Sequence, residues 1–473
     1  MVAVSEAKAG VRVRVDAPSV VADRLEAFGE AVLAGAMNRP VQLFNGGTYL
    51  RGLIEQGPRK SLEPMVERLG GDADYQSLQQ FLADSPWDPA VVVRAVAERV
   101  APQIGVEAWV LDDTGFPKDG RRSPGVKHQY SGTLGKTGNC QIGVSVHAVG
   151  SRGTVPLGWA LYLPEEWCED PERRRKAKIP EAVEFKTKPE LGVELVERAA
   201  GWRIAKVPVL GDQAYGENTK LRDRLDGAEC EYVLSVGPTV TVFASETVFA
   251  VPPNEGNKGR HYTRPRPDRE PESIGELVDR ARPDSAQTVT FRDGPGGEPV
   301  TSRFIFARVR TAHHWNTYDR KWAKGGQIPP REEWLIAEWP EGNDKPTDYW
   351  ISNLPADTEP EQLARLARMR WKIELDYKQL KGELGLDHYE GRSWLGWYHH
   401  TALVTAAHGF LTLERQHPNH QRPALPSLTP SDCSSLSSNA GPAAAKPANT
   451  QSISTDSPFT QPHKPSDHLT KHY

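Results

Sequence analysis

The stretch Ala108-Trp-Val-Leu-Asp-Asp113 is a short apolar run that ends in acidic residues, and Val207-Pro-Val-Leu-Gly-Asp212 repeats this pattern. Short apolar runs of this length are typical of buried strands. Ligands of open α/β sheets gather at the carboxyl ends of the strands. The two runs therefore predict two core strands, each with a carboxylate at its C-terminal end.

The segments around these two runs predict a mixed sheet. In chain order, the strand-like segments are 107–112, about 139–149, about 157–163, 207–211 and 231–236, and the helical ones are 189–202 and 217–227. The order β-β-β-α-β-α-β is that of a ribonuclease-H-like domain, whose first and fourth strands are parallel neighbours. Because adjacent strands lie about 4.8 Å apart, acids at their matching ends can share a metal ion.

The remaining segments predict how the chain is organised around this α/β core. Residues 1–100 show helical apolar spacing and predict an all-helical N-terminal domain that binds DNA. Residues 101–236 and 351–415 form the predicted ribonuclease-H-like catalytic domain, and residues 237–350 predict an inserted β-rich subdomain. Residues 416–473 are rich in Ser and Pro, which predicts a disordered tail.

A second decisive stretch is Arg368-Met-Arg-Trp-Lys-Ile-Glu-Leu-Asp-Tyr-Lys-Gln-Leu-Lys381. It predicts a helix, and a capping box of Thr358 and Glu361 predicts where this helix begins. On one helix Arg370, Glu374 and Lys381 fall within about 40° of one another. A carboxylate flanked by two cations suits a metal ion beside a phosphodiester. The alternative is a solvated helix face with ordinary ion pairs.

Together, Asp113, Asp212 and Glu374 predict a catalytic and metal-binding triad. Mg²⁺ prefers oxygen ligands and takes one or two carboxylates plus substrate phosphate, so three acids suit two Mg²⁺ ions, with Mn²⁺ as a substitute. One ion activates the attacking water or 3′-hydroxyl, and the other stabilises the leaving oxygen. In this hypothesis Arg370 and Lys381 bind phosphate oxygens.

The composition predicts a cytoplasmic protein without membrane segments. Hydrophobic residues make up 38% of the chain, the mean hydropathy is −0.57, and no apolar run approaches membrane-spanning length. The N-terminus has no basic region followed by an apolar core, so no signal peptide is expected. The four cysteines, Cys140, Cys168, Cys230 and Cys433, have no metal-ligand spacing, so neither a zinc site nor a disulfide framework is expected.

The net charge of −4 argues mildly against a DNA-binding protein, although local patches matter more. The basic patch between Arg173 and Lys188 holds seven Lys or Arg against two acids. It predicts either a phosphate-contacting stretch or a charged loop.

The chain resembles a known family, the DDE-type insertion-sequence transposases or DDE superfamily endonucleases. The resemblance spans residues about 25 to 410, and it is to the group with a Tyr-Arg-Glu-Lys signature and a β-strand insertion. Its specific motifs are Leu111-Asp-Asp-Thr-Gly-Phe-Pro-Lys118, Gly132-Thr-Leu-Gly-Lys-Thr-Gly-Asn-Cys-Gln141, Gly211-Asp-Gln-Ala-Tyr-Gly216 and Arg370 to Lys381.

The resemblance implies that the family's triad falls on Asp113, Asp212 and Glu374. Asp113 is preferred because the first acid precedes Thr or Ser in similar proteins, and Asp112 is the alternative. The phosphate-contacting positions fall on Arg370 and Lys381. The signature Tyr is replaced by Ala367, and Tyr377 could supply an aromatic hydroxyl from the same helix face.

Two further residues are weaker candidates for DNA binding. Lys136, in the Gly-rich turn, predicts a phosphate contact, with a plain hairpin as the alternative. Trp315 in the insertion predicts stacking on a flipped base, with an ordinary sheet aromatic as the alternative. Asp376 is expected to be solvated, and His399 and His400 are expected to pack rather than bind a metal.

The predicted function is that of a DNA transposase, which cuts the element ends and joins them to target DNA. The implied partners are double-stranded DNA, at terminal inverted repeats and at the target, and a second copy of the chain as a homodimer in the synaptic complex. The implied location is the bacterial cytoplasm, in association with the nucleoid. The alternatives are a ribonuclease-H-like nuclease without strand transfer and an inactive, transposase-derived DNA-binding repressor.

Overall fold

A computed structural model describes residues 18–253, 261–281, 285–293, 298–322 and 327–417 of the chain. All of these residues belong to one compact unit. The predicted disordered tail lies almost entirely outside the described residues, as do the first 17 residues of the predicted helical domain.

The N-terminal part of the described chain is helical. Its helices are α1 (Pro18–Leu33), α2 (Pro40–Ile54), α3 (Leu62–Leu69), α4 (Tyr75–Asp84) and α5 (Pro89–Ile104). Asp74 and Asp88 begin α4 and α5, because each side chain accepts a hydrogen bond from a free backbone N–H of the first turn. A DNA-binding role for this region stays a prediction.

The predicted core sheet follows. Its strands are β1 (Val106–Pro117), β2 (Lys127–Ser131), β3 (Lys136–Gly150), β4 (Gly153–Leu161), β5 (Val209–Gly211) and β6 (Tyr232–Val236). The helices between them are α6 (Glu165–Cys168), α7 (Pro171–Lys176), α8 (Lys188–Ala200), α9 (Gln213–Gly216) and α10 (Thr219–Gly227). As predicted, β1 and β5 are parallel neighbours. The prediction that β1 ends at its acids is wrong, because β1 stays paired with β3 as far as Pro117.

Residues 237–350, which the sequence predicts to be an insertion and which are called the insertion below, hold further strands and one helix. These are β7 (Thr241–Ala244), β8 (Phe249–Ala250), β9 (Arg266–Pro267), β10 (Glu272–Ser273), α11 (Ile274–Ala281), β11 (Gln287–Asp293), β12 (Glu298–Thr311), β13 (Trp315–Asn316), β14 (Lys321–Trp322), β15 (Glu332–Glu338) and β16 (Asp348–Ser352). The strand order is β10-β7-β12-β15-β16-β6-β5-β1-β3-β2, so the insertion lengthens the core sheet beyond β6. β16 makes the junction by pairing antiparallel with β6.

Three helices complete the described chain: α12 (Pro360–Met369), α13 (Lys372–Gly382) and α14 (Trp394–Glu414). The single helix predicted through Arg370 is therefore two helices with a turn at residues 370–371. The predicted capping box is also wrong, because Glu359 is the N-cap and the Thr358 hydroxyl donates to the Pro355 carbonyl instead.

One hydrophobic core joins the N-terminal helices to the sheet and to α14. His399 lies fully buried between the carbonyls of Leu82 and Trp87 and stacks on the Trp87 ring at 3.8 Å. His400 contacts the Tyr49 hydroxyl at 2.9 Å. The two histidines are packed, as predicted. Among the described residues, no helix is both long and apolar enough to cross a membrane.

Candidate active site at the β1–β5 junction

Asp112 and Asp113 follow each other on β1, so their side chains point to opposite faces of the sheet. Asp112 pairs across the sheet with Ser145, whose hydroxyl is hydrogen-bonded to Tyr377 of α13 at 2.8 Å. The Arg370 guanidinium donates to Asp112 Oδ2 at 3.1 Å. Asp112 therefore lies on the sheet face covered by α13, the helix that carries Glu374.

Asp113 faces the other side of the sheet, towards α8. Its carboxylate accepts from Lys188 Nζ, the first residue of α8, at 3.1 Å. The Tyr215 hydroxyl lies 3.5 Å from the same oxygen. The geometry thus favours Asp112, the alternative, over Asp113 as the β1 acid nearest to the signature residues.

Asp212 is held at the end of β5 by its own helix cap. Its Oδ1 accepts from the backbone N–H groups of Ala214 and Tyr215, at 2.9 and 3.3 Å, which begins α9. The parallel pairing of Leu111 with Gly211 brings the next residues side by side, with Asp112 on β1 and Asp212 immediately after the end of β5.

A glycine allows α9 to approach the sheet closely behind Asp212. A Cβ atom at Gly216 would lie 1.9 Å from the Ser235 carbonyl oxygen of β6. Any larger residue would push α9, and the Asp212 that caps it, away from the strand ends. This contact gives a structural reason for the last residue of the motif Gly211-Asp-Gln-Ala-Tyr-Gly216.

Glu374 lies one helical turn after Arg370, with its side chain 68% exposed. Its Oε1 is 3.7 Å from Arg370 Nη2, and Arg370 in turn pairs with Asp112. The structure therefore links Glu374 to the β1–β5 acids through one shared arginine.

The pKa values of Asp112 and Asp212 are both raised, because the two carboxyl groups are buried close to other acids. Burial raises the pKa of Asp112 to about 7; the Asp212 and Asp113 charges add to this effect, while Arg370 opposes it. Burial also raises the pKa of Asp212, and the Asp113 charge acts in the same direction. Raised carboxyl pKa values in a partly open site indicate a place where a cation is stabilised. Within this acid cluster of Asp112, Asp113 and Asp212, Asp112 and Asp212 offer the carboxylate oxygens that a divalent metal ion needs, whereas Asp113 faces α8.

Lys381 lies beside this cluster but is already engaged. Its Nζ donates to the Gly115 carbonyl at 2.7 Å and to the Thr133 hydroxyl at 2.8 Å. Burial lowers the pKa of Lys381 to about 8. This lysine therefore connects α13 to β1, and its predicted phosphate contact stays a prediction.

The other candidates for DNA binding differ in exposure. Lys136 is exposed at the start of β3. Trp315 is only 8% exposed and packs with Phe243 and Trp322 in a small aromatic core of the insertion. Its burial favours the alternative reading, an ordinary sheet aromatic.

Most of the basic patch between Arg173 and Lys188 contacts the protein itself. Arg173 stacks over the Trp167 ring, and Arg174 donates to three backbone carbonyls between Pro180 and Val183. Lys176 pairs with Glu172. The structure thus gives much of this patch a folding role.

Sequence reasoning missed three features of this region. The ion pair of Lys188 with Asp113 was not predicted, because Lys188 was counted only as part of the basic patch. The approach of the Tyr215 hydroxyl to Asp113 was not predicted either, although Tyr215 lies in the motif that ends at Gly216. The expectation that Asp376 is solvated is wrong: it is 5% exposed and accepts a hydrogen bond from His147 at 2.7 Å. Its position, two residues after Glu374 on α13, turns it inward.

The fold, a mixed sheet with helices and with carboxylates at adjacent parallel strands, fits the class of DDE nucleases. Residues 33–297, or 265 of 473, match the family model described as DDE superfamily endonuclease, and residues 190–410 match the Transposase DDE domain. A relative named "Probable transposase for insertion sequence element IS701", from Microchaete diplosiphon, is 25% identical over 358 residues. That alignment covers 74% of this chain and 78% of the relative.

The chain therefore belongs to the DDE superfamily endonucleases, as a DDE-type insertion-sequence transposase. This confirms the family that the sequence motifs indicated. Members of this family act on DNA and generally use divalent metal ions.

Proposed function

We propose that this chain cuts the ends of its insertion element by hydrolysis and joins the freed 3′-hydroxyl to target DNA by transesterification. The observation that carries the proposal is the placement of Asp112 on β1 next to Asp212, which directly follows the parallel strand β5, together with the hydrogen bond from Arg370 to Asp112. Glu374 lies one turn further on. Acids from two strands and a helix are what a two-metal phosphodiester site uses.

In this proposal Asp112, Asp212 and Glu374 hold two Mg²⁺ ions, with Mn²⁺ as a substitute, and Asp113 is the alternative first acid. When bound, the ions lower the pKa of the attacking hydroxyl or water and stabilise the leaving oxygen. The protein's own part is to position the acids: the α9 cap fixes Asp212, and β1 pairing fixes Asp112.

Arg370 has two uses in this scheme. In the free protein it offsets the charges of Asp112 and Glu374. With metal ions at the acids, the Arg370 guanidinium would be able to bind a phosphate oxygen. Lys381 and Lys136 are proposed to bind the DNA backbone near the site. Double-stranded DNA with the element's terminal repeats, a target duplex and a second copy of the chain complete the proposed complex.

The test begins with the DNA that flanks the gene, inspected for inverted repeats. A labelled duplex carrying such an end is incubated with the full chain, Mg²⁺ and a plasmid target. Nicking at the repeat followed by joining to the plasmid supports the proposal. Nicking without joining would instead identify a nuclease, and binding without nicking would identify a repressor.

Glu374→Gln tests the helix acid, since it removes a charge and nearly keeps size and shape. It is expected to abolish nicking and joining while end-DNA binding stays within a few-fold. Glu361→Gln, the same change on an exposed position of α12, is the matched control and is expected to act like the wild type. If Glu374→Gln still nicked DNA, the catalytic role of Glu374 would be rejected, and Arg370 and Glu374 would form an ordinary ion pair on a helix face.

A further inference from the structure

Three metal-ligating side chains converge at a place that contains none of the proposed catalytic residues. Asp223 comes from α10, and His313 and His314 come from the turn between β12 and β13 of the insertion. One potential ligand atom from each residue lies within 4.8 Å of the other two.

The spacing of these atoms matches the ligands of a single ion. His313 Nε2 lies 3.5 Å from Asp223 Oδ1, and His314 Nε2 lies 3.3 Å from Asp223 Oδ2. Ligands about 2.0–2.1 Å from a tetrahedral Zn²⁺ lie about 3.3 Å from one another. The side chains are 21–45% exposed, which leaves a path for an ion and room for a water ligand.

A buried hydrogen-bond chain orients His313 towards this point. Glu333 is 3% exposed and accepts from the hydroxyls of Tyr232 and Thr311, each at 2.6 Å. Because Thr311 donates its only hydrogen to Glu333, its oxygen must accept from His313 Nδ1 at 2.8 Å. His313 therefore carries a proton on Nδ1 and directs Nε2 at Asp223. Such an outer support is the usual partner of a metal-binding histidine.

Four charged or titratable groups surround His313. The positive charge of Arg222 disfavours a cation here, whereas the carboxylates of Asp223 and Glu333 favour one and offset Arg222. His314 is itself one of the three converging side chains.

We propose that Asp223, His313 and His314 bind one divalent transition-metal ion of the zinc type, which fastens the insertion to α10. Two imidazoles and one carboxylate suit Zn²⁺, whereas Mg²⁺ prefers oxygen ligands alone. The site is structural, because its ligands come from two parts of the sheet-bearing unit and its position contains no proposed catalytic group.

The test titrates the full chain, stripped with a chelator, with ZnCl₂ in a large excess of MgCl₂ by calorimetry. The magnesium occupies oxygen-only sites, so the acid cluster does not add to the zinc signal. One zinc per chain is expected. His313→Ala, His314→Ala and Asp223→Asn are each expected to weaken binding by at least about tenfold. His261→Ala, an exposed histidine of the insertion, is the matched control and is expected to bind like the wild type.

Two further measurements separate binding from folding. Thr311→Val removes the support of His313 and is expected to weaken zinc binding by about tenfold, while Thr311→Ser keeps it. Zinc is expected to raise the melting temperature of the wild type but not of His313→Ala. The proposal is overturned if the wild type takes up no zinc under these conditions, or if folded histidine variants bind zinc as tightly as the wild type.

Discussion

Asp112 and Asp376 are two acids with opposite surroundings. Asp112 contacts the turn before α13, and Asp376 lies on α13. Asp112, on β1, has one cation, Arg370, and lies within range of the negative charges of Asp212 and Asp113. Asp376, on α13 itself, accepts hydrogen bonds from His147 and Thr154 and has His408 Nε2 at 3.6 Å. Both side chains are nearly covered, at 13% and 7% exposure.

Their pKa values move in opposite directions. Burial raises the pKa of Asp112 to about 7, with help from neighbouring acids. Burial also opposes ionisation of Asp376, but the hydrogen bond from His147 and the nearby His408 ring hold its pKa well below its usual range. A buried carboxylate with favourable partners is typical of a structural role. A carboxyl group whose pKa is raised by burial and by neighbouring acids is instead a candidate for a functional site. We therefore interpret Asp376 as structural and Asp112 as functional.

The largest expected effect separates Asp112 from Asp113. Asp112→Asn is expected to lower Mg²⁺-dependent nicking by at least about 10³-fold, because a lost metal ligand removes about 4 kcal/mol of transition-state stabilisation. Asp113→Asn, on the other sheet face, is expected to cost much less. The measurement is single-turnover nicking of end DNA by both variants. The reverse order of effects would return the triad to Asp113.

Asp376→Asn is expected to act on folding instead. Removing the charge leaves His147 and His408 with a poorer partner in a fully buried place, which is expected to cost about 3 kcal/mol of unfolding free energy. Chemical denaturation measures this loss. Asp119→Asn, an exposed aspartate, is the control and is expected to change stability little. A stable Asp376→Asn protein without nicking activity would overturn the division between the two acids.

The two acids are also expected to respond oppositely to pH. The pKa of Asp112 is raised on folding, so its contribution to stability is present below about pH 4 and is lost as pH rises through about 7. The pKa of Asp376 is lowered on folding, so its contribution is present above about pH 4 and is lost as pH falls below that value.

The measurement is the free energy of unfolding of the wild type minus that of Asp112→Asn, followed across this pH range. The difference is expected to fall by at most about 4 kcal/mol between pH 4 and 7, since one pKa unit corresponds to about 1.36 kcal/mol. A difference that stays constant would show that Asp112 is not crowded in the free protein.

The smallest expected effect belongs to a residue outside both sites. Lys136→Ala removes an exposed cation and is expected to weaken end-DNA binding only a few-fold. The slope of log affinity against log salt is expected to fall by about one, since one phosphate contact releases about one counterion. Lys127→Ala, on the neighbouring strand, is a comparison within the same hairpin. An unchanged slope for Lys136→Ala would leave that turn as a plain hairpin.

Local patterns predicted the elements of the core sheet well. The runs that end at Asp113 and Asp212 are strands, and they are parallel neighbours, because apolar β-forming runs have few other places to bury themselves. The strand β2 was missed, since Lys127–Ser131 is half exposed and polar. The split between α12 and α13 was also missed, because apolar periodicity continues across residues 370–371.

The sequence alone determined the family, most of the core strands and the acids that belong to the motifs, because these depend on residue types and local spacing. Tertiary structure decided which partner each charged side chain contacts. Because side chains alternate between the two faces of a strand, Asp112 contacts Arg370 and Asp113 contacts Lys188, although the two acids are neighbours in sequence. Folding also brought Asp223 to His313 and His314 across about 90 residues, a distance at which no spacing rule acts.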